Sequence, residues 1–498
     1  MTIRRGVVRA LALVTALALP LSLTSPAQAA GGLDEVFAKL LVKQVKGANV
    51  SKHLKAFQAI ADANGGNRAA GTSGYDASRD YVADKLRKAG YKVTLQPIDF
   101  VAGWVENSPP VLADYTPNED FFTFQPSPAG DVTAPVQGVD LTLPPAPTPT
   151  STSGCEMADF AGFTAGNIAL IQRGTCPFAT KVRNAGFAGA SAIIVFNEGQ
   201  PGRTEANPLD IGEWRAGIPM IYADFAVGNA LATTATPVRL AVDATLTLGT
   251  NDNVIAESRW GDSRDVVMVG AHLDSVPEGP GINDNASGSA AILETALQMR
   301  HFPVKNKVRF AFWAAEEIGL LGSDQYVESL TQAQRDRIRV YLNFDMVASP
   351  NYGLFLYDGD DSDATGAPAG PPGSAQIEAR LEKFFKDRKV PTRGTDFDGR
   401  SDYGPFIAVG IPSGGIFTGA EGIKTPDEAA LWGGTAGQAY DPCYHLACDT
   451  LTNVNAFALD VNSDAIADST ARYAFDLRTI PDRPAGARAA LSSATAQN

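Results

Sequence analysis

The chain has 498 residues, 44% of them hydrophobic and 19% charged; that length exceeds what one hydrophobic core usually serves, so two or three domains are expected. The composition excludes a wholly disordered or collagen-like chain. A net charge of −14, from 41 Lys and Arg against 55 Asp and Glu, argues against a nucleic-acid partner, whose phosphates require clustered cations.

Arg4, Arg5 and Arg9 lead into an apolar stretch over residues 10–23, and Ala27-Gln28-Ala29 follows. A basic end, a short apolar run and a small-x-small site have the form of a secretory signal peptide over residues 1–30. The run is too short for a permanent membrane anchor, so a secreted, extracellular protein with no anchor after cleavage is expected. Arg4-Arg5 also admits a twin-arginine route. Loss of three arginines with the signal takes the net charge to about −17.

The periodicity predicts a helix over 51–64, with Leu54, Phe57, Ile60 and Ala61 on one face and Gly65-Gly66 as its stop. A second helix is predicted over 75–89, with Tyr81, Val82, Lys85 and Leu86 as its inner stripe, then a strand over 91–100. Residues 109–153 are rich in Pro, and Pro144-Pro145-Ala146-Pro147-Thr148-Pro149 cannot join a sheet interior. A strand over 168–172, a helix over 178–188 and strands over 192–196 and 240–248 follow. This stretch reads as a small inserted α/β domain over 126–249, between a first part (31–125) and a second part (250–482) of a catalytic domain.

From residue 253 the pattern alternates: strand 265–270, helix 286–300, strand 307–314, helix from 322, strand 338–343, helix 375–389. It predicts an α/β fold, a mostly parallel central sheet with helices on both faces. Residues 483–498 are expected to be a disordered tail. Four cysteines in an exported chain suggest two disulfides, and the spacings suggest Cys155–Cys176 and Cys443–Cys448.

Of the four histidines, His53, His272, His301 and His445, two sit in loops dense with Asp and Gly. His272 follows a predicted strand in Gly270-Ala271-His272-Leu273-Asp274-Ser275. Gly281-Ile282-Asn283-Asp284-Asn285-Ala286-Ser287-Gly288 leads into a helix. Glu316 and Glu317 follow one strand and Asp345 another. The carboxyl edge of a parallel sheet is where ligand sites form. Adjacent acids after an apolar strand are costly to bury without a positive partner, and no Lys or Arg is close in sequence to Glu316-Glu317. A pair of divalent metals resolves the excess charge. Two imidazoles and three carboxylates suit two zincs with one bridging carboxylate and one water, and an adjacent Glu pair can supply both a ligand and a free base. Singly, each element also reads as an ordinary turn, helix start or disulfide-loop residue.

The ordered set Gly-x-His-x-Asp-Ser, Gly-x-Asn-Asp-Asn-Ala-Ser-Gly, Ala-Glu-Glu-x-Gly, Asn-x-Asp-Met and Cys-Tyr-His resembles the secreted dizinc aminopeptidases of the Streptomyces leucine aminopeptidase type, aminopeptidase S. Gly399-Arg400-Ser401-Asp402 and Gly414-Gly415-Ile416-Phe417-Thr418-Gly419 extend the likeness. The resemblance implies that Asp284 bridges two Zn2+, that His272 and Asp345 complete one, and that Glu317 and His445 complete the other. It makes Glu316 the general base, Asp274 the residue that orients His272, and Tyr444 a donor to the oxyanion. Arg400 would position substrate, and Phe417 would line an apolar side-chain pocket. A Ca2+ site at Asp460 and Asp464 is a further expectation, with Gln44 where the family has an acid.

The inserted region resembles a protease-associated domain through Gln172-Arg173-Gly174-Thr175-Cys176-Pro177-Phe178 and the residues that follow. The expected protein is a monomeric aminopeptidase that removes large apolar residues from peptides and proteins with a free N-terminus. A related metallo-carboxypeptidase or amidohydrolase, and a binding protein that has lost its zincs, are the rival readings.

Overall fold

A computed structural model describes residues 26–482 except 365. Most of the expected signal peptide and all of the expected tail lie outside the described residues; the last residues of the former open the first helix, α1 (Pro26–Gln44). Among the described residues, no helix is long and apolar enough to cross a membrane.

The central sheet has the order β1 (Lys92–Leu112), β2 (Val238–Glu257), β4 (Asn306–Trp313), β3 (Asp262–His272), β5 (Ile338–Phe344), β8 (Ser413–Phe417), β6 (Phe355–Tyr357), β7 (Arg393–Thr395). Strands β4, β3, β5 and β8 are mutually parallel, β1 and β2 run antiparallel to their neighbours, and β6 runs antiparallel to β8 but parallel to β7. Side chains on the inner strands alternate between two apolar layers. Val267 and Val269 of β3 join one layer, and Val266 and Met268 join the other. Such strands, apolar on both faces, require cover on both sides.

One face is covered by α1, α2 (Gly47–Ala63), α3 (Ser73–Lys88), α4 (Gly288–Met299), α6 (Ser374–Asp387) and α7 (Ala456–Phe475). The opposite face packs against α5 (Leu321–Ser329) and the segment around Tyr403 and Phe406. Helix α2 buries Leu54, Phe57 and Ala61 as its periodicity predicts. Thr72 caps α3 by accepting from the Tyr75 amide, a bond of the kind worth ~1 kcal/mol. Fully burying a Leu or Phe contributes roughly 1.5–3 kcal/mol, and Leu54, Phe57 and Leu86 are 0–1% exposed.

A second sheet holds parallel Val136–Val139, Ile168–Gln172, Ala192–Phe196 and Met220–Ala223, with Phe121–Gln125 antiparallel to the last. The helix Phe178–Phe187 packs Val182 and Ala185 against it, and Cys155–Cys176 closes one of its loops. This unit stands on a long ribbon in which β1 and β2 pair from Lys92↔Glu257 out to Leu112↔Leu240. Pro109 and Pro110 fall in the irregular register between Ser108 and Val111, where no ladder hydrogen bond is lost. The strand predicted over 240–248 is the outer half of β2, which runs unbroken into the central sheet. Arg215 ties the unit down through Asp324 and Glu328 of α5, at 2.7 and 3.0 Å.

Candidate metal centre

His272 is the last residue of β3, Glu316 and Glu317 follow β4, and Asp345 follows β5. The parallel register brings these carboxyl ends to one edge, with His272 opposite Trp313 and Gly270 opposite Asn343. Asp284 arrives from the turn before α4. His445 arrives from the loop closed by Cys443–Cys448, where a left-handed φ of 56° sets its direction against the usual preference of a non-glycine residue.

The side chains converge. His272 Nε2 lies 3.1 Å from Asp284 Oδ1 and 3.2 Å from Asp345 Oδ1. His445 Nε2 lies 3.3 Å from Asp284 Oδ2 and 3.0 Å from Glu317 Oε2. The two oxygens of Asp284 therefore face different imidazoles. Glu316 Oε2 stands off at 3.9 Å from His272 Nε2. Three groups with metal-ligand spacing result: His272-Asp284-Asp345, Asp284-Glu317-His445 and His272-Glu316-Glu317.

The electrostatics are those of an overcrowded acidic site. Burial, reinforced by Asp284, pushes Glu317 up to about 8. Burial likewise holds the Glu316 carboxyl well above its usual range. Burial acts the same way on Asp284, but the two imidazoles outweigh it and keep this carboxylate low. Burial opposes a charged His445, yet Asp284 and Glu317 raise it to about 10. The donor atoms fit a cation better than each other. Glu317 Oε1 and His445 Nε2 are buried and have no aligned hydrogen-bond partner, although oxygens lie close to that nitrogen. Imidazole nitrogen and carboxylate oxygen in this arrangement are a divalent-metal donor set.

The surroundings hold each ligand from behind. Asp274 accepts from the Glu316 and Glu317 amides at 3.2 and 3.3 Å, tying two loops together. Its oxygen is 3.6 Å from His272 Nδ1, longer than a hydrogen bond. Asp449 accepts from the Asn283 and Asp284 amides and fixes the turn that carries Asp284. Behind Asp345 runs a relay in which each group donates to the next: Trp313 Nε1 to Tyr341 Oη, Tyr341 to Asn343, Asn343 to Ser401, and Ser401 Oγ to Asp345 Oδ2 at 2.6 Å. The relay leaves Asp345 Oδ1 for His272.

Arg68 is fully buried and donates to the carbonyls of Leu273, Pro280 and Gly281. It is a cation set among Asp274, Asp449, Asp284 and Glu317. Arg68→Met should destabilise the fold by at least about 3 kcal/mol, because it orphans buried acceptors and removes a buried counter-charge. Arg68→Lys should rescue little, since an ammonium lacks the guanidinium fork. Chemical denaturation of both variants checks this.

Tyr444 and Arg400 share the rim: Arg400 Nη2 is 3.3 Å from Tyr444 Oη and Nη1 is 2.7 Å from Glu421. Tyr444 stacks on the His445 ring at 3.8 Å. A cavity of about 280 Å³ opens from the metal-ligand cluster and is walled by Phe355, Tyr357 and Phe417.

Asp460 and Asp464 lie far from this picture. Asp460 accepts from the Gly47 amide, and Asp464 faces Arg388 at 3.8 Å. Neither belongs to a group of three candidate ligands among the described residues. A cation opposite Asp464 leaves the calcium expectation without geometric support.

The chain matches known proteins along most of its length. A profile for peptidase family M28 matches residues 253–470, and one for the PA domain matches residues 132–231. An aminopeptidase of Pseudomonas aeruginosa is 48% identical, covering 90% of this chain and 84% of that protein. A probable lipoprotein aminopeptidase of Mycobacterium tuberculosis is 42% identical over 89% of this chain and 87% of its own. The solved aminopeptidase from Aneurinibacillus sp. strain AM-1 superposes with a TM-score of 0.51 at 27% identity, covering 87% of this chain and 95% of that one. With an ordered set of acids and histidines at one sheet edge and relatives of this identity across both of its units, the chain belongs to peptidase family M28 and carries a PA domain.

Proposed function

We propose that the protein is a secreted dinuclear zinc aminopeptidase of the Streptomyces leucine aminopeptidase type, acting as a monomer on peptides with a free N-terminus. The observation that carries the reading is Asp284, whose two carboxylate oxygens each face a different imidazole, at 3.1 and 3.3 Å. His272 and Asp345 would hold one zinc and His445 and Glu317 the other, with Asp284 shared. When bound, two zincs supply Lewis acidity for the scissile carbonyl and its attacking water.

The chain supplies the rest. Glu316 takes the water's proton on its carboxylate and returns it to the leaving amine. Its standing distance from His272, 3.9 Å, is the longest among the clustered pairs and suits a base outside the coordination shell. Tyr444 donates its hydroxyl proton in a hydrogen bond to the carbonyl oxygen as charge develops there. Arg400 holds the Tyr444 oxygen in place from the rim. The substrate's free amine sits at the acidic end, beside Glu316 and Asp345, and its side chain enters the cavity against Phe417 and Phe355.

A panel of amino-acid arylamides with free and blocked N-termini tests the reading. Hydrolysis should require the free amine; equal turnover of blocked substrates would refute it and favour an amidohydrolase.

Residues 126–249 form, in this reading, a PA domain that shapes access and does no chemistry; they contain no histidine. Excision should respect the ribbon, because a cut at residue 249 would strand half of β1. Joining Val105 to its partner Thr245 through an Asn-Gly turn keeps the inner ribbon paired. The shortened, metal-loaded protein should still hydrolyse a leucine arylamide. Complete loss of activity in a folded variant would refute this division of labour.

A further inference from the structure

Four of the acids lining the cavity, Asp284, Glu316, Glu317 and Asp345, belong to the metal groups. Of the others, Asp398 accepts from Tyr403 Oη and the Arg400 amide, and Glu421 is paired with Arg400. Asp396 alone among the described lining acids has neither a hydrogen bond nor an ion pair. It follows β7, whose Thr395 pairs with Tyr357 of the cavity wall. Gly366 packs so tightly on the Asp396 carboxylate that any Cβ there would overlap it, which restrains the carboxylate beside the wall.

The wall has the shape of a receptor for an amphipathic side chain. Phe355, Tyr357 and Phe417 offer apolar surface, against which a methylene stem packs. Asp396 offers a half-buried carboxylate at that surface with no protein donor to accept from. A ligand with an apolar stem and a cationic tip satisfies both; a purely aliphatic one leaves the acid unpaired.

Resting on the aminopeptidase reading above, we infer that Asp396 is a specificity-determining residue that admits N-terminal lysine and arginine, pairing with their charged tips while the aromatic wall holds their stems. A charge-assisted contact of this kind is stronger than a neutral hydrogen bond. A site offering such a partner discriminates against an analogue that lacks the matching group.

The test compares lysyl and norleucyl arylamides, which share a stem and differ in the terminal ammonium. The wild type and Asp396→Asn are assayed on both with the zinc-loaded full chain. The ratio of kcat/KM for lysyl over norleucyl substrate should fall about tenfold or more in Asp396→Asn, and Asp396→Glu should recover part of it. An unchanged ratio overturns the inference, as does an equal loss on both substrates, which would make Asp396 an amine anchor or a structural residue. Wild type that hydrolyses norleucyl arylamide while the ratio stays fixed defeats only this inference. Wild type that hydrolyses neither free-amine substrate defeats the aminopeptidase reading itself.

Discussion

Glu316→Gln should retain full metal content and lose about 10²–10⁴ in kcat, the usual cost of removing a general base. An amide keeps the shape of the side chain but cannot take a proton. KM should change less, because Asp345 and the aromatic wall, which also receive the substrate, are untouched. Glu317→Ala should behave differently. Glu317 Oε2 is 3.0 Å from His445 Nε2 and Glu317 belongs to the group centred on Asp284, so its loss opens a small coordination shell. Metal content should fall toward one ion per chain, and activity should fall with it. Zinc stoichiometry measured beside kcat for both variants decides the assignment. If Glu316→Gln sheds a metal while Glu317→Ala keeps two and is inactive, the roles are reversed. The backbone explains how neighbouring identical residues diverge. Ala315 is left-handed, with φ of 56°, and the amides of both glutamates are held by Asp274, so the turn is fixed before either side chain engages.

Much of this site was legible because it lies at strand ends. A parallel strand that is apolar throughout announces itself, and the first acid or histidine after it must fall at the sheet edge. His272, Glu316, Glu317 and Asp345 were all readable that way. His445 has no strand before it; its place between two cysteines marked it. Arg68 was not legible. It sits between α2 and α3 in an unremarkable polar stretch, and the carbonyls it serves are 205–213 residues away. The Trp313-Tyr341-Asn343-Ser401 relay was hidden for the same reason: it crosses three chain segments, and each member alone is an ordinary core or loop residue. Helix α7 was hidden because Ala465, Ile466, Ala467, Asp468, Ser469, Thr470 and Ala471 are all buried in succession, so burial runs right round the helix there and blurs any apolar stripe. The β1/β2 ribbon blurred the edge of the insert, since one continuous strand serves both units. Asp460 and Asp464 were marked by the resemblance alone, which says nothing about what faces them; here it is a backbone amide and Arg388.

Removing metal should cost the protein stability as well as activity. Asp284, Glu316 and Asp345 are buried residues, and their carboxylates meet within hydrogen-bonding range of the same imidazole or just beyond it. Buried acids so close cannot all be ionised without a cation, and an uncompensated buried charge typically costs ~3–5 kcal/mol. Arg68 offsets part of this, but its guanidinium is committed to three carbonyls. A metal bound only by the folded state adds about 4 kcal/mol for each site held at 1,000 times its Kd. Chelation should therefore lower Tm by something on the order of 10 °C, abolish hydrolysis of leucine arylamide, and be reversed by zinc. Calorimetry of the chelated and zinc-restored protein, with metal analysis of each, makes the measurement. An unchanged Tm in protein shown to be metal-free would mean that the acids neutralise one another by sharing protons, and the charge argument for two metals would fail. The Glu317 variant sharpens the comparison. If one site is lost there and the other survives, the zinc-dependent gain in Tm should shrink to about half, because His272 and Asp345 still hold their ion while His445 and Asp284 face each other with a ligand missing.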